Sequence, residues 1–321
     1  MNEFELIDYL TKDFNIYQKN VVAGIGDDCA VWREGDKYIV FTTDTMVEGD
    51  HFIKDWFTPE QIGKRLVETN ISDVAAMGAS PTSMFVSLVI DDYTSPEWCR
   101  KLYDGIKFVA DKYEISLLGG NITHGSTLSL TLGVHGESLS KVLYRSGAQL
   151  GDLVCVTGTI GDACIARLML GKKLNVPETL LNRLATPSAR IDESLIIRDY
   201  ANSMIDISDG IASEARHIAK SSGLGVCINM EKIPYSDLAK KHVSDTDQSL
   251  LDSSMRGGED YELMFTISSD NLERLKSNKN LRTHITEIGR IIPENKYVYV
   301  YEGEEKILPK GFDHFSDNIN L

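Results

Sequence analysis

Tyr38-Ile39-Val40-Phe41-Thr42-Thr43-Asp44 is followed, after a short connection, by Thr58-Pro59-Glu60-Gln61-Ile62-Gly63-Lys64-Arg65-Leu66. The apolar, partly β-branched start of the first stretch predicts a strand that ends on hydroxyls and a carboxylate. The second combines an N-cap threonine, a proline at the first helical position and a glutamine placed to close a capping box. Ile62, Leu66, Val74 and Met77 give this helix an apolar face, and Gly78 followed by Ser80-Pro81 ends it. On either side, Met84–Ile90, Ser116–Leu118 and Leu128–Val134 predict further strands. Ser95-Pro96-Glu97 opens a second helix, whose Trp98, Leu102, Ile106, Val109 and Tyr113 form a core-facing stripe. Strand and helix alternate, which is the pattern of an α/β layer.

Arg145-Ser146-Gly147-Ala148-Gln149-Leu150-Gly151-Asp152 is dense in turn residues and is the expected domain boundary, dividing 1–148 from 149–321. Beyond it, Leu153–Thr157 predicts a strand and Gly161–Leu170 a helix. A long helical region is expected over Pro177–Ser203, then a strand-to-helix turn at Met204–Ile211 and a helix to Ser222. Val226–Met230 and Tyr261–Thr266 predict strands, Asn271–Lys276 a short helix, and Ile285–Ile292 and Lys296–Tyr301 two closing strands. The expected fold class is α/β (α+β), in two mixed α/β domains. The chain's 321 residues agree with that division, at roughly 150 residues per domain.

Lys plus Arg number 33 and Asp plus Glu 48, so the formal charge is −15. Such a surface repels phosphate backbones and anionic lipid, which argues against nucleic-acid and membrane partners; an acidic chain that handles phosphates needs cations to mediate. A hydrophobic share of 42% and a charged share of 25% exclude disordered and collagen-like classes. Cys29, Cys99, Cys155, Cys164 and Cys227 are odd in number and widely spaced, fitting buried reduced thiols better than a disulfide or zinc framework. Met1-Asn2-Glu3-Phe4-Glu5 lacks an apolar leader and no run approaches a membrane span, so the expected compartment is the cytoplasm. Two N-x-[ST] sequons, at Asn70 and Asn121, then read as chance matches.

The chemistry lies in acids placed at strand ends and turns beside glycine: Gly24-Ile25-Gly26-Asp27-Asp28, Thr42-Thr43-Asp44, Asp73 within the capped helix, Ile205-Asp206-Ile207-Ser208-Asp209-Gly210, and Gly257-Gly258-Glu259-Asp260-Tyr261. Any one alone is better read as solvated surface. Small neighbours, however, let backbone approach a ligand, and Asp73 shares a helical face with Leu66, Asn70 and Met77. Two carboxylates about 4 Å apart repel by roughly 4 kcal/mol at an effective dielectric near 20, so several in one cleft require cations. Oxygen donors without a His or Cys cluster select a hard ion, Mg²⁺ before zinc, and Mg²⁺ on carboxylates commonly bridges phosphates. No phosphate-loop or protein-kinase signature occurs. Gly119-Gly120-Asn121 at a strand end leaves backbone N–H groups open to an anion, and Arg145 at the domain junction is a credible phosphate clamp. The residues by themselves indicate a two-domain protein that binds a metal–nucleotide complex.

Taken together, Gly24–Val31 (GIGDDCAV), Thr42–Phe52 (TTDTMVEGDHF), Asn70–Pro81 (NISDVAAMGASP), Gly119–Thr123 (GGNIT), Ile205–Gly210 (IDISDG), Gly257–Leu263 (GGEDYEL) and Gly311–Phe315 (GFDHF) resemble the thiamine-monophosphate kinase family. That family belongs to the superfamily of aminoimidazole ribonucleotide synthetase and selenophosphate synthetase. The resemblance implies transfer of the γ-phosphate of ATP to thiamine monophosphate with several Mg²⁺ ions, the last step of thiamine diphosphate synthesis. It implies metal ligands at Asp27, Thr42, Thr43, Asp44, Asp73, Asn121, Asp206 and Asp209. It implies ATP contacts at Tyr103, Gly119, Gly120, Arg145 and Ser208, substrate contacts at His51, Glu259 and Phe315, and a homodimer formed through N-terminal strands. Many members carry Asp where this chain has Asn121, whose neutral carbonyl oxygen still ligates Mg²⁺.

Blander roles compete at four positions. Tyr103 beside Leu102 could pack, His51 could lie at the surface, Phe315 could anchor a chain end, and Glu259 could pair with an arginine. Among rival activities, selenophosphate synthetase wants a reactive Cys in an N-terminal glycine-rich loop, and none precedes Cys29. The hydrogenase-maturation relative wants a terminal Cys, whereas this chain ends Asn318-Ile319-Asn320-Leu321. A non-catalytic Mg-nucleotide sensor is the rival from another class. Because the attacking phosphate oxygen is already ionised, no catalytic base is assigned; alignment and charge neutralisation are the tasks.

Overall fold

The computed structural model describes residues 3–293 and 296–310. Helix α1 (Glu3–Thr11) precedes strands β1 (Val21–Ala23), β2 (Ala30–Glu34) and β3 (Lys37–Val47). Helix α2 (Pro59–Ala76), strand β4 (Ser80–Ile90), helix α3 (Pro96–Tyr113) and strands β5 (Ser116–His124) and β6 (Ser129–Ser138) follow. The strands form one sheet in the order β1-β2-β3-β6-β4-β5, antiparallel except for β4 with β5. That exception has a cause, because α3 carries the chain back between those two strands and such a crossover makes neighbours parallel.

Both halves of the expected capping box are present: Gln61 N donates to Thr58 Oγ1 at 3.2 Å, and Thr58 N donates to Gln61 Oε1 at 2.9 Å. Ser95 caps α3 through Trp98 N at 3.1 Å. Ile62, Leu66, Val74 and Met77 of the first helix, with Leu102, Ile106 and Val109 of the second, are buried as their spacing predicts. Along β6 every second residue is buried, including Leu130, Leu132 and Val134, whereas the other face of this sheet carries the exposed Phe41 and Phe85.

The second sheet lies beyond Asp152. Its elements are β7 (Leu153–Thr157), α4 (Asp162–Gly171), α5 (Glu178–Ala185), α6 (Ile191–Ile197), β8 (Ser203–Asp206), α7 (Ile211–Ser221), β9 (Gly225–Asn229), α8 (Asp237–His242), α9 (Leu250–Arg256), β10 (Leu263–Ile267), α10 (Ser269–Lys276), β11 (Ile285–Ile292), β12 (Tyr297–Tyr301) and β13 (Glu304–Ile307). The order is β13-β12-β9-β11-β7-β10-β8, with only β12 and β9 parallel. Every residue of β7 and β10 is buried, which is why both read as unbroken apolar runs. The helical region expected over Pro177–Ser203 consists of two short helices and ends before Ser203, where β8 begins. Thr186, which precedes Pro187, takes φ −143° and ψ 65°, since a residue before proline is pushed out of the helical region.

Helix α2 ties the two layers together. On one side it packs on the first sheet. Toward the other, Glu68 accepts a hydrogen bond from Ala189 N at 2.8 Å and Ser72 donates to Asp206 Oδ2 at 2.6 Å. One hydrophobic cluster runs from Val31 and Ile71 to Cys155, Ile197 and Phe265 without interruption. The crossing of α2 and α3 depends on paired glycines. A Cβ on Gly63 would lie 2.0 Å from the Leu102 carbonyl oxygen, and one on Gly105 would lie 2.1 Å from that of Glu60. Neither backbone oxygen can retreat without moving its helix, so Gly63→Ala should cost about 3 kcal/mol or more. A urea midpoint equal to that of the wild type would contradict this crossing.

Candidate active site

The fold leaves a cleft of about 400 Å³ between the two layers, walled by the end of β3, the 27–28 turn, α2 and the loops that follow β8 and precede β10. Its acidic floor is assembled locally. Side chains alternate along β3, so Thr42 and Asp44 share the face toward α2 while Thr43 takes the opposite one. Thr42 Oγ1 donates to Asp73 Oδ2 at 2.6 Å, and Asp44 N donates to the side-chain oxygen of the fully buried Asn70 at 3.1 Å. Asn70 in turn donates to the Leu66 carbonyl at 2.7 Å, so its side chain pins the strand to the helix. Asp206, at the last position of β8, arrives from the second layer and is held by Ser72. In consequence, Asp28, Asp73 and Asp206 each place a carboxylate oxygen within 4.8 Å of the others.

At that spacing each ionised pair repels by roughly 3–4 kcal/mol in an effective dielectric near 20. Among the described residues, one internal cation answers directly. Arg145 donates to Asp28 Oδ1 through Nε at 3.0 Å and Nη2 at 2.6 Å, and its backbone N–H meets both Asp27 oxygens at 3.2 Å. Asp28 Oδ2 is buried with no hydrogen-bond partner among the described residues. Burial, reinforced by Asp28, pushes Asp27 up to about 7, and the same two causes bring Asp206 to about 7. Burial and the charges of Asp44 and Asp206 raise Asp73 well above the usual carboxylate range. Asp28 is also raised, burial outweighing Arg145. Crowded carboxylates, a threonine hydroxyl and an orphaned buried oxygen fit a hard divalent cation, and the donors are all oxygen.

Loop 257–262 divides its acids among three tasks. Glu262 is fully buried and accepts from Arg183 at 2.8 Å, from Arg190 Nε at 2.6 Å and from Thr157 at 2.6 Å. Burial alone would raise its pKa, yet Arg190 and Arg183 hold it below the ordinary value. Asp260 accepts the Gly161 N–H at 2.9–3.0 Å, just before α4. Glu259 alone of the three faces the cleft, on a backbone with φ +67° whose N–H donates to the Ser208 carbonyl at 2.7 Å. A Cβ on Gly258 would come within 2.1 Å of that same carbonyl oxygen, so the two glycine-bearing loops touch backbone to backbone.

Asp27, Thr42, Asp44, His51, Asp73, Arg145, Asp206, Ser208, Asp209 and Glu259 all line this one cleft. His51 Nδ1 accepts from Val47 N at 3.3 Å within the turn that leaves β3. Five described positions lie elsewhere. Thr43, Gly119 and Asn121 share the uncovered sheet face with Phe85, as their pairing register requires, and Gly120 sits beside them on edge strand β5. Tyr103 packs half-buried against the core from α3. Phe315 lies outside the described residues. The sequence reading did not select Asp28, Arg65, Ser72 or Glu214. Arg65 follows the spacing Arg65, Thr69, Asp73 along one helical face, a signal that was available. Glu214 is buried at the start of α7 and accepts the Asp209 N–H at 2.8 Å.

The model of the AIR synthase related protein, N-terminal domain, matches residues 26–138. Thiamine-monophosphate kinase of Escherichia coli K12 is 36% identical over 324 residues, covering 98% of both chains. The enzyme of the same name from Buchnera aphidicola subsp. Acyrthosiphon pisum is 35% identical over 323 residues, also covering 98% of both. The chain belongs to the thiamine-monophosphate kinase family. Among solved structures, AaThiL complexed with AMPPCP and TMP matches with a TM-score of 0.87 and 33% identity, over 98% of this chain and 97% of that one. The thiamine-monophosphate kinase likeness thus spans both layers and every segment that builds the cleft.

The raised carboxyls give metal binding a definite pH dependence. Without metal, folded Asp27 keeps a proton between its ordinary 3.8 and about 7 that the unfolded chain has released. The stability it contributes is therefore full below the lower value and lost as pH rises through the upper one. A divalent cation binds the deprotonated form. The rise in Tm on adding Mg²⁺ should thus be greater near pH 8 than near about pH 5.5. An increment independent of pH would show that the cluster does not take up the ion.

Proposed function

We propose that this chain transfers the γ-phosphate of ATP to thiamine monophosphate, forming thiamine diphosphate and ADP as the final step of thiamine diphosphate synthesis in the cytoplasm. The observation that carries the reading is the convergence of carboxylates from both layers on one cleft, in a chain alike over its full length to thiamine-monophosphate kinases. Asp27, Asp44, Asp73, Asp206 and Asp209, with Thr42 and the added Asp28, would hold Mg²⁺. When bound, the ions would offset the charge of the two phosphate groups. Arg145 and Ser208 are assigned to the nucleotide, and His51, Glu259 and Phe315 to thiamine monophosphate. Glu259 offers a carboxylate to a substrate that carries a cationic thiazolium. The acceptor phosphate is already ionised, so the residues bind, align and exclude water rather than remove a proton.

A homodimer belongs to the same proposal. Phe41 and Phe85 leave an apolar surface on one face of the first sheet, with exposures of 37% and 46%. That face also bears Thr43, Gly119 and Asn121. Pairing of two copies through it would therefore gather there Thr43, Gly119 and Asn121, which stand apart from the cleft of their own chain. The charge of −15 speaks against nucleic acid or membrane as further partners.

Purified protein with ATP, Mg²⁺ and thiamine monophosphate should yield thiamine diphosphate, followed by fluorescence after oxidation to thiochrome, with free thiamine as the control. Asp44→Asn and Asp73→Asn should abolish turnover while leaving Tm equal or higher, because each removes a repelling charge. Wild-type turnover by either variant at limiting Mg²⁺ would overturn the metal assignment. Phe85→Asp should convert a dimer to a monomer in sedimentation velocity; a wild-type chain that sediments as a monomer refutes the dimer.

A further inference from the structure

Arg65 is the largest fully buried side chain in the described structure, only 2% exposed, although it lies on the α2 face that borders the cleft. Its Nη1 donates to the Leu184 carbonyl near the end of α5, and its Nη2 donates to Glu259 Oε1. The guanidinium thus joins three elements: a helix that packs on the first sheet, a helix of the second layer, and the loop that brings Glu259 to the cleft. Its planar fork suits this, because two N–H groups on one rigid group fix the carbonyl and the carboxylate relative to each other.

Glu259 needs such a hold. Both it and Tyr261 have left-handed backbones, at φ +67° and +49°, a conformation that non-glycine residues adopt only where the surroundings impose it. The Glu259 side chain is one-quarter exposed, so with nothing to hold it the carboxylate would turn into water. With Arg65 on one oxygen, the carboxylate is fixed in rotamer and the rest of its acceptor capacity is left for a ligand.

We propose that Arg65 is a positioning residue for thiamine-monophosphate recognition, orienting Glu259 from the opposite layer without touching the reacting atoms. This rests on the kinase reading above. It separates Arg65 from the arginines that pair with the buried Glu262, which serve the fold, and it makes substrate affinity depend on how α2 seats against α5.

The test is steady-state kinetics on Arg65→Met, Arg65→Lys, Glu259→Gln and the double variant Arg65→Met/Glu259→Gln, with Tm measured for each. Arg65→Met should raise KM for thiamine monophosphate about tenfold or more, with KM for ATP within about twofold and kcat reduced less than about threefold. Arg65→Lys keeps the charge without the fork and should recover part of that loss. Because Arg65 acts through Glu259, the double variant should be no worse than Glu259→Gln alone. If Arg65→Met does not fold, the soluble Arg65→Lys carries the same KM comparison. Parallel loss in both KM values, or a double variant in which the two effects multiply, would overturn the assignment. No product from the wild-type chain would overturn the kinase reading and this inference with it; wild-type turnover with an unchanged KM in Arg65→Met and Arg65→Lys would overturn this inference alone.

Discussion

Mutual repulsion among Asp28, Asp73 and Asp206 is the constraint on which the rest of the site depends. The three come from a turn before β2, the last turn of α2 and the end of β8, yet their oxygens lie within 4.8 Å of one another. One arginine neutralises part of the charge and leaves a buried oxygen of Asp28 without a partner among the described residues. Burial raises the pKa of every member of the group, and neighbouring carboxylates add to it at Asp73 and Asp206. A folded chain tolerates such an arrangement only when packing elsewhere is strong, and the continuous apolar cluster beneath both layers supplies it.

Helix α2 turns that constraint into a site. Asn70 fixes the β3 backbone, Asp73 receives Thr42, Ser72 reaches Asp206 and Arg65 reaches Glu259. One rigid element therefore sets the spacing of acids from both layers. Positions on a helix four residues apart project to one side, which is why a single segment holds so many of the contacts. The paired glycines at the crossing of α2 and α3 hold that helix at a fixed depth.

Much of the fold was legible in the sequence, because the signals were local. The capping box at Thr58, the cap at Ser95 and the stripes of both helices recur in the structure, and Leu153–Thr157 and Ile285–Ile292 are strands with those bounds. The helical region expected over Pro177–Ser203 is broken at Thr186-Pro187, where the proline's steric demand outweighed apolar periodicity. Helices α1, α8 and α9 and strands β1, β2 and β13 are short elements that offer few turns or alternations for a periodic signal. At the site, the glycine-flanked acids marked the cleft, but strand alternation separates Thr42 from Thr43 and sends the latter to the other face. Asp28 was hidden beside Asp27, since adjacency in sequence does not reveal which of two carboxylates meets a residue more than a hundred positions away. Arg65 and Ser72 were hidden because their partners belong to the other layer.

The most direct test of the central claim is anomalous scattering from crystals of the full chain grown with Mn²⁺, a ion that accepts the same oxygen donors as Mg²⁺. The account predicts anomalous density within coordinating distance of Asp28, Asp73 and Asp206 together. Crystals that diffract well at saturating Mn²⁺ but show no density among those three carboxylates would contradict it.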